Sequence, residues 1–446
     1  MATLPSTPYK GTRDYYPEDK RVQNYIFNTW RKIAERHGYQ EYGAPMIEPL
    51  EVYTAKSGQE LASEQTYSFV DRGDRVVAIR PEMTPSISRM VAARRQELGY
   101  PARLYSIANF MRYERPQRGR EREFWQLNAD IFGVEGVLAD AEIIGLAHEI
   151  MAALKAADDM YVIRINNRNL INHMMSSYLG LDAVGSQMMM KLFDRKEKIS
   201  ADDFAQQAAE IFGNEQAEQG LRKMSQLVAA TTMAELPAEL HEVAAVKEIE
   251  ELFEQLDLAG VKNAKFDVTL MRGLDYYTGM VFEVFDLHPD NNRAMFGGGR
   301  YDGLVGLFGA EPIPTVGFAP GLTTTELFLR SHDLLPTLSS TTEVGIVVVD
   351  DSLKDALEVA RKLRAEGVNV EVDISERKLD RQIKAVIKKE IPYIVFVGAD
   401  EVRDNIYTFK DTATTEEEKL SVERIVSIVK DRRHSANSDE DDDLFA

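Results

Sequence analysis

Residues 102–133, "ARLYSIANFMRYERPQRGREREFWQLNADIFG", decide how this chain is read. The two flanks, "ARLYSIANFMRYE" and "REFWQLNADIFG", are rich in the aromatic and branched residues of strands, with an arginine-rich stretch between them. That pattern makes the middle a loop joining two paired strands. Antiparallel strands with helices set apart from them indicate an α+β sheet domain. The loop carries five arginines, at 112, 115, 118, 120 and 122, in a chain whose formal net charge is −20. So much local positive charge on so acidic a protein implies a specific anion to be held there.

Working outward, residues 20–37 place Val22, Tyr25, Ile26, Trp30, Ile33 and Ala34 at helical spacing before Gly38. An extended stretch around Pro45 follows, then two β-rich runs about the polar turn "DRGD" (71–74), then a helix opened by Pro85. Residues from about 168 to 262 are helical segments between turns, an expected insertion whose Met189 and Met190 are read as packing rather than as a ligand surface. Strand character returns from Ala264 to Gly309 and in "TVGFAPGL", so the sheet domain, 1–332, resumes after the insertion. "DLLPTLSSTT" (333–342) is a linker. Beyond it, 343–432 alternates strand and helix as a small α/β domain with a mixed sheet, and 433–446 is an acidic tail expected to be disordered.

Composition bounds the possibilities. At 446 residues the chain is too long for one ordinary core. It lacks cysteine, which rules out disulfides, thiolate metal sites and a thiol nucleophile. The N-terminus has no apolar signal core and no stretch offers the ~20 apolar residues of a membrane span, so the expectation is a cytoplasmic protein without a membrane partner. The overall charge speaks against indiscriminate adhesion to nucleic acid but leaves room for a local basic site.

Four segments concentrate chemistry: "RPEMTP" (80–85), the arginine loop with its flanks (112–130), "RGLDYYTG" (272–279) and "GGGRYDGL" (297–304). Together they supply arginines for phosphate, carboxylates for amines or ring N–H groups, stacking aromatics, and glycines where backbone approaches a ligand. No Walker or dinucleotide glycine loop is present, so arginines on a sheet are the alternative clamp for a nucleotide. The seven histidines lie far apart with no H-x-x-x-H pair, and no protein metal site is expected.

At this point the residues match a family. From about residue 10 to 430 the chain resembles the class II aminoacyl-tRNA synthetases, and among them the histidyl-tRNA synthetase family. "GYQEYGAPMIEPLEVY" (38–53) is similar to the dimer-forming motif 1, "FMRYERPQRGREREFWQL" (110–127) to motif 2, and "PTVGFAPGL" (314–322) to the start of motif 3. "RGLDYYTGMVFE" and "GGGRYDGL" resemble the two histidine-specific signatures and are the most specific evidence in the chain.

The resemblance implies histidine, ATP and tRNA(His) as substrates, Mg2+ as companion of ATP, and a homodimer. It implies that Arg112 and Arg272 serve catalysis at the α-phosphate, with Arg112, Glu114 and Arg120 on ATP. Glu82, Thr84 and Gln126 would take the α-amino group of histidine. Asp130 and Tyr277 would take its imidazole, with Arg272, Tyr276, Tyr301, Gly298 and Gly299 completing the pocket and Gly297 extending its floor. Arg115, Gln117 and Arg118 would meet the tRNA acceptor end, and Glu283 is a candidate for contacting the metal. The plainer alternatives are an ion pair of Glu114 with a neighbouring arginine and core packing for Tyr276. The 343–432 module would bind the anticodon, with basic residues of "ERKLDRQIKAVIKK" (376–389) as candidate phosphate contacts.

One position departs from the family. Motif 3 continues with an arginine two residues after its Gly-Leu pair, and here Thr324 stands there. Arg330 is about 120° round the helix, so Arg300, beside the glycines, is the expected substitute and joins the ATP-binding set. Two rival readings stay open: a synthetase-like regulatory subunit such as that of ATP phosphoribosyltransferase, which lacks the C-terminal module, and a class II synthetase for threonine, proline or glycine.

Overall fold

The structure, a computed structural model, describes residues 4–55, 64–196, 199–213, 216–271, 276–291 and 293–442, with side chains described to 433. The chain divides into two compact units, Met1–Asp14 with Gln23–Leu335, and Tyr15–Val22 with Pro336–Ala446.

The first unit holds eleven strands among the described residues: β1 (Gln40–Glu41), β2 (Ile47–Pro49), β3 (Ser68–Val70), β4 (Val76–Ile79), β5 (Ala102–Met111), β6 (Glu123–Phe132), β7 (Tyr161–Asn167), β8 (Ala264–Phe266), β9 (Met280–Asp286), β10 (Ala294–Arg300) and β11 (Thr315–Phe318). Eight of them form one sheet in the order β1-β5-β6-β11-β10-β9-β7-β8. The inner neighbours are all antiparallel, while the short edge strands β1 and β8 pair in parallel. The opening stretch is the longest ladder, β5 against β6 from Ala102↔Phe132 to Met111↔Glu123.

The sheet's covering helices read directly from composition. Val137–Ala153 is apolar almost all round, with Ile143, Ile144, Leu146 and Ala147 fully buried, as a helix sandwiched between sheet and helix must be. It packs on β6, β11 and the helix Ala244–Leu258. The "DRGD" turn forms as expected: the Asp71 carboxylate accepts from the Gly73 and Arg75 amides at 2.8 and 3.1 Å, and β3 and β4 pair antiparallel. Between β7 and β8 lie the helices Arg168–His173, Ala183–Phe193, Ala201–Phe212, Ala217–Ala229 and Ala244–Leu258. Met189 is fully buried there among Leu192, Phe193 and Leu227, with Met190 packed against them.

The second unit has a five-stranded mixed sheet: β12 (Val344–Val348), β13 (Val370–Val372), β14 (Tyr393–Val397), β15 (Tyr407–Asp411) and β16 (Glu417–Leu420), in the order β13-β12-β14-β15-β16. The first three in that order are parallel and the last two antiparallel additions. Its last helix runs Val422–Asp442, so the tail expected to be disordered from 433 is helical to 442. The packed stretch Val422, Ile425, Val426 and Val429 provides a nucleus, and extending a helix costs far less than starting one. Residues 443–446 lie outside the described residues.

Candidate active site

Strands β6, β9, β10 and β11, with the loop that follows β5, line a cavity of about 980 Å³, in the range of small-molecule sites. Its walls carry Glu82, Thr84, Arg112, Glu114, Gln117, Arg120, Gln126, Asp130, Tyr276, Tyr277, Glu283, Gly298 and Tyr301, which brings together most of the residues singled out in the sequence. Arg272 lies outside the described residues.

One end is a buried polar cluster. The Tyr276 hydroxyl donates to the Glu82 carboxylate at 3.0 Å, and the Tyr301 hydroxyl donates to Asp130. All four side chains are buried, and the rings of Tyr276, Tyr277 and Tyr301 meet edge-on or tilted, with Tyr276 centred 5.2 Å from Tyr277 and 5.6 Å from Tyr301. The tyrosines therefore do both things at once: they pack, and they aim two carboxylates into the cavity. Burial pushes the Asp130 carboxyl up to about 7, against the opposing pull of the Tyr301 bond.

The glycines nearby are required by crowding between strands. A Cβ on Gly298 would lie 2.3 Å from the Gly317 carbonyl oxygen and 2.5 Å from Phe318 Cβ, and one on Gly299 would meet the Tyr277 ring at 2.9 Å. Gly317 was not marked in the sequence as a site residue, yet its Cβ would fall 2.0 Å from Asp130 Oδ1. Only glycine at 317 leaves the Asp130 carboxylate its place.

The other end is the arginine loop. Arg112, at the close of β5, donates through Nε to the Pro81 carbonyl at 2.9 Å and lies 5.2 Å from the centre of the Phe124 ring. Gln117 and Arg120 exchange backbone hydrogen bonds of 3.1 and 2.9 Å around the tip Arg118-Gly119, where Gly119 has φ 77°. This is a two-residue hairpin turn, and it holds Arg115, Gln117, Arg118 and Arg120 exposed. Glu114 pairs with Arg120 at 3.2 Å, the local ion pair that was the plainer alternative for it, while still facing the cavity. Arg122 is used differently: its guanidinium stacks 4.2 Å over Tyr113 and donates to the Tyr9 hydroxyl at 3.0 Å, bracing the loop from behind.

The expected substitute for the missing motif 3 arginine is corrected. Arg300 is buried and spent: its Nε and Nη2 hold Asp140 at 3.0 and 2.8 Å, and Nη1 and Nη2 donate to the Val134 and Gly136 carbonyls. A guanidinium bound on three sides to the start of the Val137–Ala153 helix cannot also serve a nucleotide. Arg330 is also engaged, with Glu326 at 2.9 Å. Thr324 lines the cavity with its hydroxyl donating to the Met295 carbonyl at 2.9 Å. Arg293 and Asp194 line it as well, and nothing in their sequence surroundings marked them.

Comparison with known proteins gives a consistent picture. A family model described as "Histidyl-tRNA synthetase" matches residues 11–324, and one described as "Anticodon binding domain" matches 343–432. A histidine–tRNA ligase of Leptospira biflexa is 38% identical over 96% of this chain and 98% of its own length. One of Haloarcula marismortui is 34% identical over 90% and 92%. Among solved structures, histidyl-tRNA synthetase from Nostoc sp. PCC 7120 superposes with a TM-score of 0.82 at 25% identity, covering 96% of this chain and all of that one.

Proposed function

The chain belongs to the histidyl-tRNA synthetase family, and from that premise we propose how its cavity works as the active site of a histidine–tRNA ligase. The reaction has two steps. A histidine carboxylate oxygen attacks the α-phosphorus of ATP, displacing pyrophosphate and leaving histidyl-adenylate; the terminal ribose hydroxyl of tRNA(His) then attacks the histidyl carbonyl, releasing AMP. Both steps depend on alignment and on charge placed in advance where negative charge builds up.

The observation that carries the residue assignment is the pair of tyrosine-held carboxylates at one end of a cavity whose other end is arginine-lined. Glu82, Thr84 and Gln126 take the α-ammonium group of histidine. Asp130 accepts from the imidazole, with Tyr277 and Tyr301 enclosing the ring, an arrangement that rejects an apolar isostere because the buried Asp130 would then lose one donor and keep only the Tyr301 hydroxyl. Arg112, fixed by Pro81 and Phe124, faces the α-phosphate, and Arg272 is assigned the opposite side of the same phosphate. Glu114 receives the adenine amino group, with Arg120 beside it.

Mg2+ accompanying ATP would neutralise charge on the phosphates. Among the described residues no group of three or more His, Asp or Glu side chains is arranged as a metal site; Glu283, one of several carboxylates lining the cavity, is the side chain assigned one contact to the ion. Arg115, Gln117 and Arg118 receive the acceptor end of tRNA, and the 343–432 module reads the anticodon. A homodimer and a cytoplasmic setting complete the reading; no helix among the described residues is long and apolar enough to cross a membrane.

The test is ATP–pyrophosphate exchange with each amino acid in turn. Histidine alone should support rapid exchange; no exchange with histidine, or equal exchange with threonine, proline or glycine, would sink the assignment. Arg272→Ala should abolish exchange while histidine binding stays measurable by calorimetry, and unchanged exchange would remove Arg272 from the chemistry.

A further inference from the structure

The nucleotide end of the cavity holds a cation that none of the roles above uses. We propose that Arg293 binds the terminal phosphates of ATP, at the place where Thr324 contributes no charge. The inference rests on reading the cavity as an ATP site and goes on to assign one of its ligands.

Arg293 immediately precedes β10, is exposed, and lines the same cavity as Arg112, Arg120 and Thr324. Strand β10 runs from it to the glycines beside Asp130 and Tyr277. At a strand rise of about 3.3 Å per residue, Arg293 lies roughly 16 Å from Gly298 along the chain. Histidine occupies the glycine end, so Arg293 falls toward the arginine-lined end, beyond the α-phosphate, where a triphosphate tail has to go.

Charge at that end supports the same assignment. A triphosphate brings several negative charges to a wall that already carries Glu114, Glu121 and Glu283. Arg120 is partly neutralised by Glu114. Arg300 and Arg330 are held by Asp140 and Glu326. Among the described residues Arg293 has no carboxylate within ion-pair distance; its Nη1 donates to the Arg118 carbonyl at 2.6 Å, and the rest of its fork remains to bind an anion. A planar fork of donors suits phosphate oxygens better than a point charge does.

That one bond has a second effect. A Cβ built on Gly119 would come within 3.4 Å of Leu327 Cδ1, 3.5 Å of Arg293 Nη1 and 3.9 Å of Thr324 Cγ2, so the tip of the arginine loop rests on Leu327, Arg293 and Thr324. Arg293 thus touches both the loop and the space for the phosphates, and binding ATP steadies the loop that receives tRNA.

Titration calorimetry with ATP (magnesium present) and with AMP separates the two contacts. Arg293→Ala should weaken ATP on the order of 10- to 100-fold, the usual worth of hydrogen bonds to a charged group, and leave AMP and histidine affinity within about twofold. Arg293→Gln, which can still donate to the Arg118 carbonyl but carries no charge, should lose ATP affinity as the alanine variant does. Full ATP affinity in Arg293→Gln, or equal losses of ATP and AMP in Arg293→Ala, would overturn the proposal, since the residue would then act only through the loop. Absence of histidine-dependent exchange in the unmodified protein would instead overturn the reading of the whole site.

Discussion

On the proposed assignment Asp130 must be an acceptor for an imidazole, and it is buried. Burial raises its carboxyl to about 7, compared with about 3.9 for an aspartate in an unfolded chain. In the ligand-free protein the folded state therefore takes up the proton first as pH falls. Its contribution to stability is complete below about pH 4 and is lost as pH rises through 7. Denaturant midpoints measured across that window should fall with pH for the unmodified protein relative to Asp130→Asn, and parallel curves would refute the shift. Asp130→Asn should also raise the KM for histidine by an order of magnitude or more with little change in the KM for ATP, because only the imidazole loses a partner.

Among the strands, β11 earns its glycine by what stands beside it. Gly317→Ala would drive a methyl group into the Asp130 carboxylate, so either the strand shifts or the carboxylate does. The expected cost is about 1–3 kcal/mol of stability, seen as a lower denaturant midpoint, together with weakened histidine binding and ATP binding nearly intact. The loop between β5 and β6 makes a separate prediction. Arg118→Ala should reduce the salt dependence of aminoacylation, lowering its logarithmic slope by about one unit, while pyrophosphate exchange in the absence of tRNA stays unchanged. Equal salt slopes would place Arg118 away from the nucleic acid.

This is also the scale at which sequence reading succeeded and failed. The β5–β6 ladder and its loop were legible because residues with strong strand or turn preference sit next to each other in the chain, whereas Glu82, Asp130, Tyr276 and Tyr301, whose hydrogen-bonded pairs are 194 and 171 residues apart, were marked only through the family resemblance. Arg300 was misread because its partner, Asp140, is 160 residues away and only the fold brings it close. Arg293 was invisible for the converse reason: it is a lone arginine in "NNRAMF", and its meaning comes from Arg118 and Thr324 on other elements. Gly317 looked like one more small residue in a strand until Asp130 was placed against it.

For the whole molecule, the small sheet β2-β4-β3 leaves Ile47 and Phe69 on one face 49% and 45% exposed, beside the segment that resembles motif 1, and Val70 and Val76 on the other face 62% and 44% exposed. A homodimer that covers the Ile47 face should sediment at twice the chain mass, and Ile47→Asp should shift it to the monomer without loss of folding, since Ile47 is already exposed in the single chain. A monomer in the unmodified protein would refute the dimer. The surplus of acids elsewhere makes the arginine loop a local attraction on a surface that otherwise repels polyanions, which on the proposed assignment favours correctly docked tRNA over any other nucleic acid.

The start of the chain has a practical bearing on such work. Gly11 accepts the Arg122 amide at 2.6 Å, Tyr9 meets the Arg122 side chain, and Arg13 comes within 3.7 Å of Glu121 and 2.8 Å of Glu326, so residues 9–13 are stitched to the back of the arginine loop and to the helix beside it. An affinity handle or fluorophore fused just ahead of Tyr9 would tug on that seam, and kinetic constants measured on such a fusion would describe the label as much as the enzyme.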